Sequence, residues 1–153
     1  MPDNKKRVLV IASSGGHWVQ MRRLRPAFDG FEVAYASVYP DYAIDVTGFR
    51  YYTVKDITRK SLLNLFVLVP QFISILCKER PDVVITTGSM PGLVGIAVAK
   101  LLTRARTVWI DSIANCERMS SSGKQARHFA DEWLTQWPQL SGPDGPGYWG
   151  AVL

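Results

Sequence analysis

Cysteine is scarce in this chain: Cys77 and Cys116 are the only two in 153 residues, and they do not form a CxxC pair. That excludes a disulfide-framed secreted domain and a thiolate zinc site. Two free thiols in a reducing compartment fit better than one bridge. Charged residues make up only 20% of the chain, with a net charge of +5. A basic balance suits a solvated surface, nucleic acid, a membrane surface or a phosphorylated ligand. No arginine-rich helix and no aromatic RNA-binding signature is present, which argues against nucleic acid. A long N-terminal apolar run is also missing. Val8 to Ala12, behind Lys5, Lys6 and Arg7, spans five residues, too short for a signal-peptide core or a membrane span. The protein is expected to begin and stay on the cytoplasmic side. The hydrophobic fraction of 47% is enough, at this length, for one domain with its own core.

Strand and helix signals alternate. Val8 to Ala12 is uniformly apolar and soon followed by glycines, as in a parallel strand covered on both faces. A helix is expected over about 18–28, a strand over 31–36 and a short strand over 51–54. A long helix follows over 61–80, then a strand over 82–86, a helix over 93–102, a strand over 106–110, a helix over about 120–128 and a strand over 132–136. The remainder, 138–153, is rich in Gly and Pro and is expected to be an irregular tail behind a domain of residues 1–137. This alternation predicts an α/β fold, a Rossmann-like parallel sheet with flanking helices. Ligands of such sheets bind beyond the carboxyl ends of the strands.

Two glycine-containing loops fall at that edge. In Ser13-Ser14-Gly15-Gly16-His17, glycines allow a sharp turn and close backbone approach, and the next helix offers N–H groups and a positive dipole end to an anion. The motif departs from GxGxxG, which disfavours NAD. His17, in the first helical turn, suits a general base toward a hydroxyl, or a capping or ligand-binding role. The loop Thr87-Gly88-Ser89-Met90-Pro91-Gly92 repeats the logic, with a helix that Pro91 can start. Together the loops suit a diphosphate; each alone is equally a plain turn. A third loop, Asp111-Ser112-Ile113-Ala114-Asn115, offers Asp111 as a second candidate base. It also offers Ser112 and Asn115 as contacts for sugar hydroxyls, or all three as a capping loop. Ser120 to Lys124 lacks the spacing of a phosphate-binding P-loop. No Asp-x-Asp or histidine cluster is present, so no metal is implied.

The expected helix over 61–80 is apolar around most of its circumference. Lys60, Asn64, Gln71, Ser74 and Lys78 share one stripe. The uncharged stretch covers only residues 61–77 and is interrupted by Pro70, which should kink it. Lying flat in a membrane interface fits better than spanning. Leu65, Phe66 and Phe72 would then meet lipid, with Arg59, Lys60 and Lys78 at the head groups. The alternative is a core helix between the sheet and a partner.

In order, Ser13 to His17, Thr87-Gly88 with Pro91-Gly92, Trp109-Ile110-Asp111-Ser112, Ser122-Gly123-Lys124 and Gln136-Trp137-Pro138 run over nearly the whole chain. This ordered set resembles the membrane-associated subunit of the split UDP-N-acetylglucosamine transferase of dolichol-linked glycan assembly, and its bacterial exopolysaccharide and capsule relatives. More distantly it is similar to the N-terminal half of the peptidoglycan lipid-intermediate N-acetylglucosaminyltransferase. The resemblance implies the N-terminal, acceptor-binding half of a GT-B glycosyltransferase that needs no cofactor. It further implies a donor-binding partner chain carrying a UDP-sugar, a lipid-diphosphate-linked sugar acceptor, and inverting transfer at the cytoplasmic face of the membrane. Tyr148 and Trp149 would dock on the partner. The alternative is a non-catalytic anchor that recruits a catalytic chain. The eukaryotic subunit's N-terminal anchor has no counterpart here, which favours a peripheral bacterial relative.

Overall fold

The computed structural model describes residues 4–152. Its strands are β1 (Arg7–Ile11), β2 (Glu32–Ser37), β3 (Arg50–Thr53), β4 (Val83–Thr86), β5 (Arg106–Ile110), β6 (Glu132–Thr135) and β7 (Gly147–Tyr148). The helices are α1 (Gly16–Leu24), α2 (Leu65–Glu79), α3 (Ser89–Leu102) and α4 (Ser121–Ala126). The seven strands form one sheet in the order β3-β2-β1-β4-β5-β6-β7, and every pairing is parallel. Chain direction across the sheet reverses between β1 and β4. That is the switch point at which such sheets open a crevice for a ligand.

The apolar run of β1 is explained by its two covered faces. Leu9 and Ile11 join one core with Ala34, Ala36, Leu68, Phe72, Val84, Ile96 and Trp109. Val8 and Val10 join the other with Trp18, Met21, Val33 and Tyr35. Each fully buried aliphatic side chain contributes roughly 1.5–3 kcal/mol relative to exposure. Gly95 lets α3 lie close on this core: a Cβ there would collide with Ile11 and touch Phe72 at 3.2 Å.

Several boundaries differ from the sequence expectation. The first helix is α only to Leu24 and tightens into a 3-10 turn, Arg25–Phe28, with Pro26 in its first turn. The next-but-one helix starts at Ser89, not at Leu93, because proline is tolerated in a first turn. The long helix opens with a 3-10 turn, Leu62–Asn64, and α2 then runs through Pro70 to Glu79. It stops at Arg80, which adopts φ 46° just before Pro81. The tail is not wholly irregular. It makes a 3-10 turn, Pro138–Leu140, and then β7, which extends the sheet beside β6.

At the amino edge of the sheet Glu79 is 5% exposed and bonded by Arg50 Nε at 2.9 Å and by the Tyr52 hydroxyl. Burial alone would raise its pKa, but the Arg50 and Tyr52 hydrogen bonds and the Arg50 and Lys78 charges outweigh that and hold it below its ordinary value. Burial and the Glu79 bond push the Tyr52 phenol up to about 12. A carboxylate with a depressed folded pKa binds fewer protons folded than unfolded. Its stabilisation is therefore complete above the ordinary glutamate value and is lost as pH falls through the folded value. Glu79→Gln is expected to cost about 2 kcal/mol at pH 7, with the half-exposed Arg50 limiting the loss. It should also remove part of the acid sensitivity. Urea unfolding midpoints at pH 7 and pH 3 check both; an equal shift at the two pH values would contradict the assignment.

Candidate functional site

The loops after β1 and β4 flank the switch point. Gly15 takes φ 63° and ψ −131°, and its N–H donates to the Tyr42 hydroxyl at 3.2 Å. A Cβ at Gly15 or Gly16 would meet nothing within 4 Å, so the space over this turn is open to a ligand. Helix α1 begins there with no side-chain cap and no acidic residue in its first turn. Its positive end therefore lies beside that space. Ser13 is buried and its carbonyl accepts from Ser37 Oγ at 3.3 Å, while Ser14 is half-buried.

A reciprocal pair of bonds clasps the two loops. His17 Nδ1 lies 2.9 Å from the Thr87 carbonyl, and Thr87 Oγ1 donates to the His17 carbonyl at 2.7 Å. A carbonyl only accepts, so Nδ1 carries the proton and Nε2 of the neutral ring keeps its lone pair. Gly88 takes φ 115°, and a Cβ there would sit 3.0 Å from His17 Cε1 and Nδ1. The imidazole thus occupies the space that the glycine leaves. Ser89, the first residue of α3, has φ 76°, a conformation disfavoured for a residue with a Cβ. Its hydroxyl is the one buried side-chain polar atom without a hydrogen-bond partner among the described residues.

Four expected site residues have other work. Asp111 is 1% exposed and accepts four hydrogen bonds: from Trp109 Nε1 at 3.1 Å, Ser120 Oγ at 2.6 Å, Ser120 N at 2.9 Å and Asn115 Nδ2 at 3.1 Å. It braces the turn into α4 and is not presented as a base. Asn115 spends its amide on that carboxylate, and Ser112 Oγ accepts from Gln20 at 3.0 Å and from Ala114 N at 3.2 Å. Gly92 is buried, and a Cβ there would collide with Thr86, so it serves helix–strand packing and not ligand approach.

The expected membrane-facing residues divide in the same way. Phe72 is 0% exposed and belongs to the core, and Leu65 is half-buried. Asn64 and Gln71, assigned to a polar stripe, turn toward the connection after β3: Asn64 Nδ2 donates to the Asp56 carbonyl at 3.0 Å and Gln71 Oε1 accepts from Lys55 N at 2.8 Å. The outward face is apolar over the first part of the helix, with Leu62, Leu63, Phe66, Val67 and Ile73 all exposed, Leu63 and Phe66 to about 80%, while Ser74 and Lys78 of the expected stripe are exposed further along. Segment Leu62–Glu79 is long and apolar enough to cross a membrane by length and composition, yet its inner face packs on the sheet. Lys60 is exposed, Arg59 donates to Ser121 Oγ, and the Lys78 ammonium lies 5.4 Å from the centre of the Tyr52 ring. In the tail Tyr148 and Trp149 are 42% and 71% exposed.

Sequence reasoning passed over Tyr42 and Gln20, and it named Gln136 only within the motif Gln136-Trp137-Pro138, with no role. Tyr42 holds the Gly15 turn and stacks on Trp18 with ring centroids 4.6 Å apart. The two glutamines are buried against the Asp111 loop. The signal for Gln20 was position, between the core residues Trp18 and Met21; Gln136 follows the buried end of β6 and stands in the Gln136-Trp137-Pro138 motif.

Comparison with known proteins agrees with this architecture. A family described as "Oligosaccharide biosynthesis protein Alg14 like" matches residues 46–152. The protein named UDP-N-acetylglucosamine transferase subunit ALG14 from Eremothecium gossypii is 41% identical over 66 residues, covering 40% of this chain and 30% of that protein. The Mus musculus protein of the same name is 25% identical over 174 residues, covering 91% of this chain and 79% of that protein. Acinetobacter baumannii MurG superposes with a TM-score of 0.73 at 14% identity, covering 94% of this chain and 45% of that one. The chain thus spans less than half of MurG and has the Rossmann-like fold of one half of a GT-B protein. With most of its length inside the matching model, the chain belongs to the Alg14-like family of oligosaccharide biosynthesis proteins.

Proposed function

We propose that this chain is the acceptor-binding half of a two-chain inverting glycosyltransferase, working at the cytoplasmic face of a membrane with a partner that holds a UDP-sugar. The observation that carries this reading is His17. Its Nδ1 is fixed on Thr87, and its ring stands against Gly88 where two uncapped helix N-termini meet. The open turn at Gly15-Gly16 and the unmatched Ser89 hydroxyl suit the diphosphate of a lipid-linked sugar acceptor. His17 Nε2 removes the proton from the acceptor hydroxyl as that oxygen attacks the anomeric carbon. The bond from that carbon to UDP breaks on the opposite face, UDP leaves with the electron pair, and the configuration inverts. The names of the curated relatives, as subunits of a UDP-N-acetylglucosamine transferase, support the pairing with another chain. Tyr148 and Trp149 supply exposed aromatic surface for that partner. The apolar outer face of α2, beside Lys60, would rest in the lipid interface.

The test is transfer to a lipid-diphosphate-linked acceptor in vesicles of phosphatidylcholine and phosphatidylglycerol, with a panel of UDP-sugars. This chain is assayed alone and mixed with candidate donor-binding chains. Turnover only in a mixture is the expected result, and turnover by this chain alone overturns the proposal. In the same assay Leu63→Glu with Phe66→Glu should release the chain from vesicles; retention on them would remove the lipid-facing role of α2.

A further inference from the structure

Behind the site lies a buried knot of two amides. Gln136 Nε2 donates to Gln20 Oε1 at 2.6 Å and to the Asp111 carbonyl at 2.9 Å, and Gln136 Oε1 accepts from Val152 N at 2.8 Å. Gln20 Oε1 also accepts from Ile113 N at 3.2 Å, and Gln20 Nε2 donates to Ser112 Oγ at 3.0 Å. Gln20 and Gln136 are 4% and 2% exposed. The Asp111 carbonyl can only accept, and the N–H groups of Ile113 and Val152 can only donate, so neither amide can be flipped without losing bonds. Apolar residues of equal volume would fill this space as well. Buried polar groups that are fully matched instead select one relative arrangement of the segments they join.

Three segments meet here: α1, whose Gln20 lies one turn past His17; the loop after β5; and the tail. The tail is not packed flush. A cavity of about 240 Å³ lies between it and the sheet, lined by Leu24, Ile110, Leu134 and Trp149 among others. The β6–β7 pairing fixes Gly147 and Tyr148; beyond it the Val152–Gln136 bond, with Arg23 Nη1 donating to the Val152 carbonyl at 3.5 Å, seats residues 149–152.

We infer that Gln136 is a positioning residue for His17, making the placement of the α1 N-terminus depend on the seating of residues 149–152. This rests on the role given to His17 above. The segment that reports to Gln136 includes the exposed Trp149, so anything that settles on the tail also tightens the site, through the bond between Gln136 and Gln20, which lie 116 residues apart in the chain. The tail then acts as a strap whose tension is read by two glutamines.

Val152→Pro deletes the N–H that Gln136 accepts and leaves both glutamines in place. Gln136→Met removes the knot at nearly constant volume. In the two-chain complex both variants are expected to speed amide hydrogen exchange over 16–20 and 111–115, and to lower kcat about tenfold with acceptor KM within about twofold. Val152→Ala, which keeps the N–H, and Asp144→Ala, in the exposed part of the tail, should match the parent. Unchanged exchange over 16–20 in Val152→Pro would overturn the inference, as would an equal effect of Val152→Ala. If the parent pair transfers no sugar, the proposed reaction falls, while the exchange measurements still decide whether tail and α1 are coupled.

Discussion

Replacing His17 with alanine is expected to lower transfer by the two-chain complex on the order of a thousandfold, the scale at which a positioned general base acts. Acceptor affinity should change little by comparison. The ring is oriented by Thr87 and backed by Gly88, and it leaves no charged partner stranded when removed. Stability should fall only modestly, since the Thr87 Oγ1 bond goes to the His17 carbonyl, which alanine retains. The measurement is kcat and KM for both substrates beside a titration of partner affinity. Full activity with unchanged partner binding would make the chain an anchor that recruits a catalytic partner, and the base would have to come from the other chain.

Replacing Asp111 with asparagine should act on folding first. The side chain accepts four hydrogen bonds in the interior, and an amide in its place sets N–H groups against the donors of Ser120, Asn115 or Trp109. A buried network broken on one side costs about 3 kcal/mol, which for a domain of this length lowers Tm by roughly 10 °C. Thermal melts and activity at a permissive temperature separate brace from base. A base would show lost activity with an unchanged Tm; a brace shows a low Tm with much of the activity intact below it.

Much of the fold was legible because the parallel strands announce themselves. Val8 to Ala12 has no polar face, so it had to be covered on both sides, and it is. The carboxyl edge of the sheet followed from that, and with it the two glycine turns. Asp111 shows where such reading ends. An aspartate just past a strand looks the same in sequence whether it faces solvent or is sealed in. What seals it is Ser120, nine residues on, and the indole N–H of Trp109, two residues back, which reaches the carboxylate only in the folded chain. The α2 helix misled in the opposite way. Its one polar stripe is narrow, and Asn64 and Gln71 on it bond inward to the connection after β3, so the stripe does not mark which side packs. Phe66 and Phe72 are chemically alike there, yet one is 80% exposed and the other 0%. The strand β7 is two residues long, Gly147 and Tyr148, which no alternation pattern can reveal.

The central pairing of the sheet has a kinetic consequence. Strand β1 pairs with β4 in the register Val8 to Val83, and the clasp between His17 and Thr87 spans 70 residues. Closing so long a stretch of chain is entropically slow, and parallel ladders gain nothing until it is done. Everything from α1 to α2 lies inside that closure. Until β4 inserts beside β1, the His17–Thr87 clasp does not exist, and α2 shows water both its inner face, with Leu68 and Phe72, and its outer one, with Phe66. The molecule is therefore most prone to aggregate just before it acquires its site. Overexpression without a membrane or a chaperone should lose the chain at that stage, before a folded but inactive form accumulates.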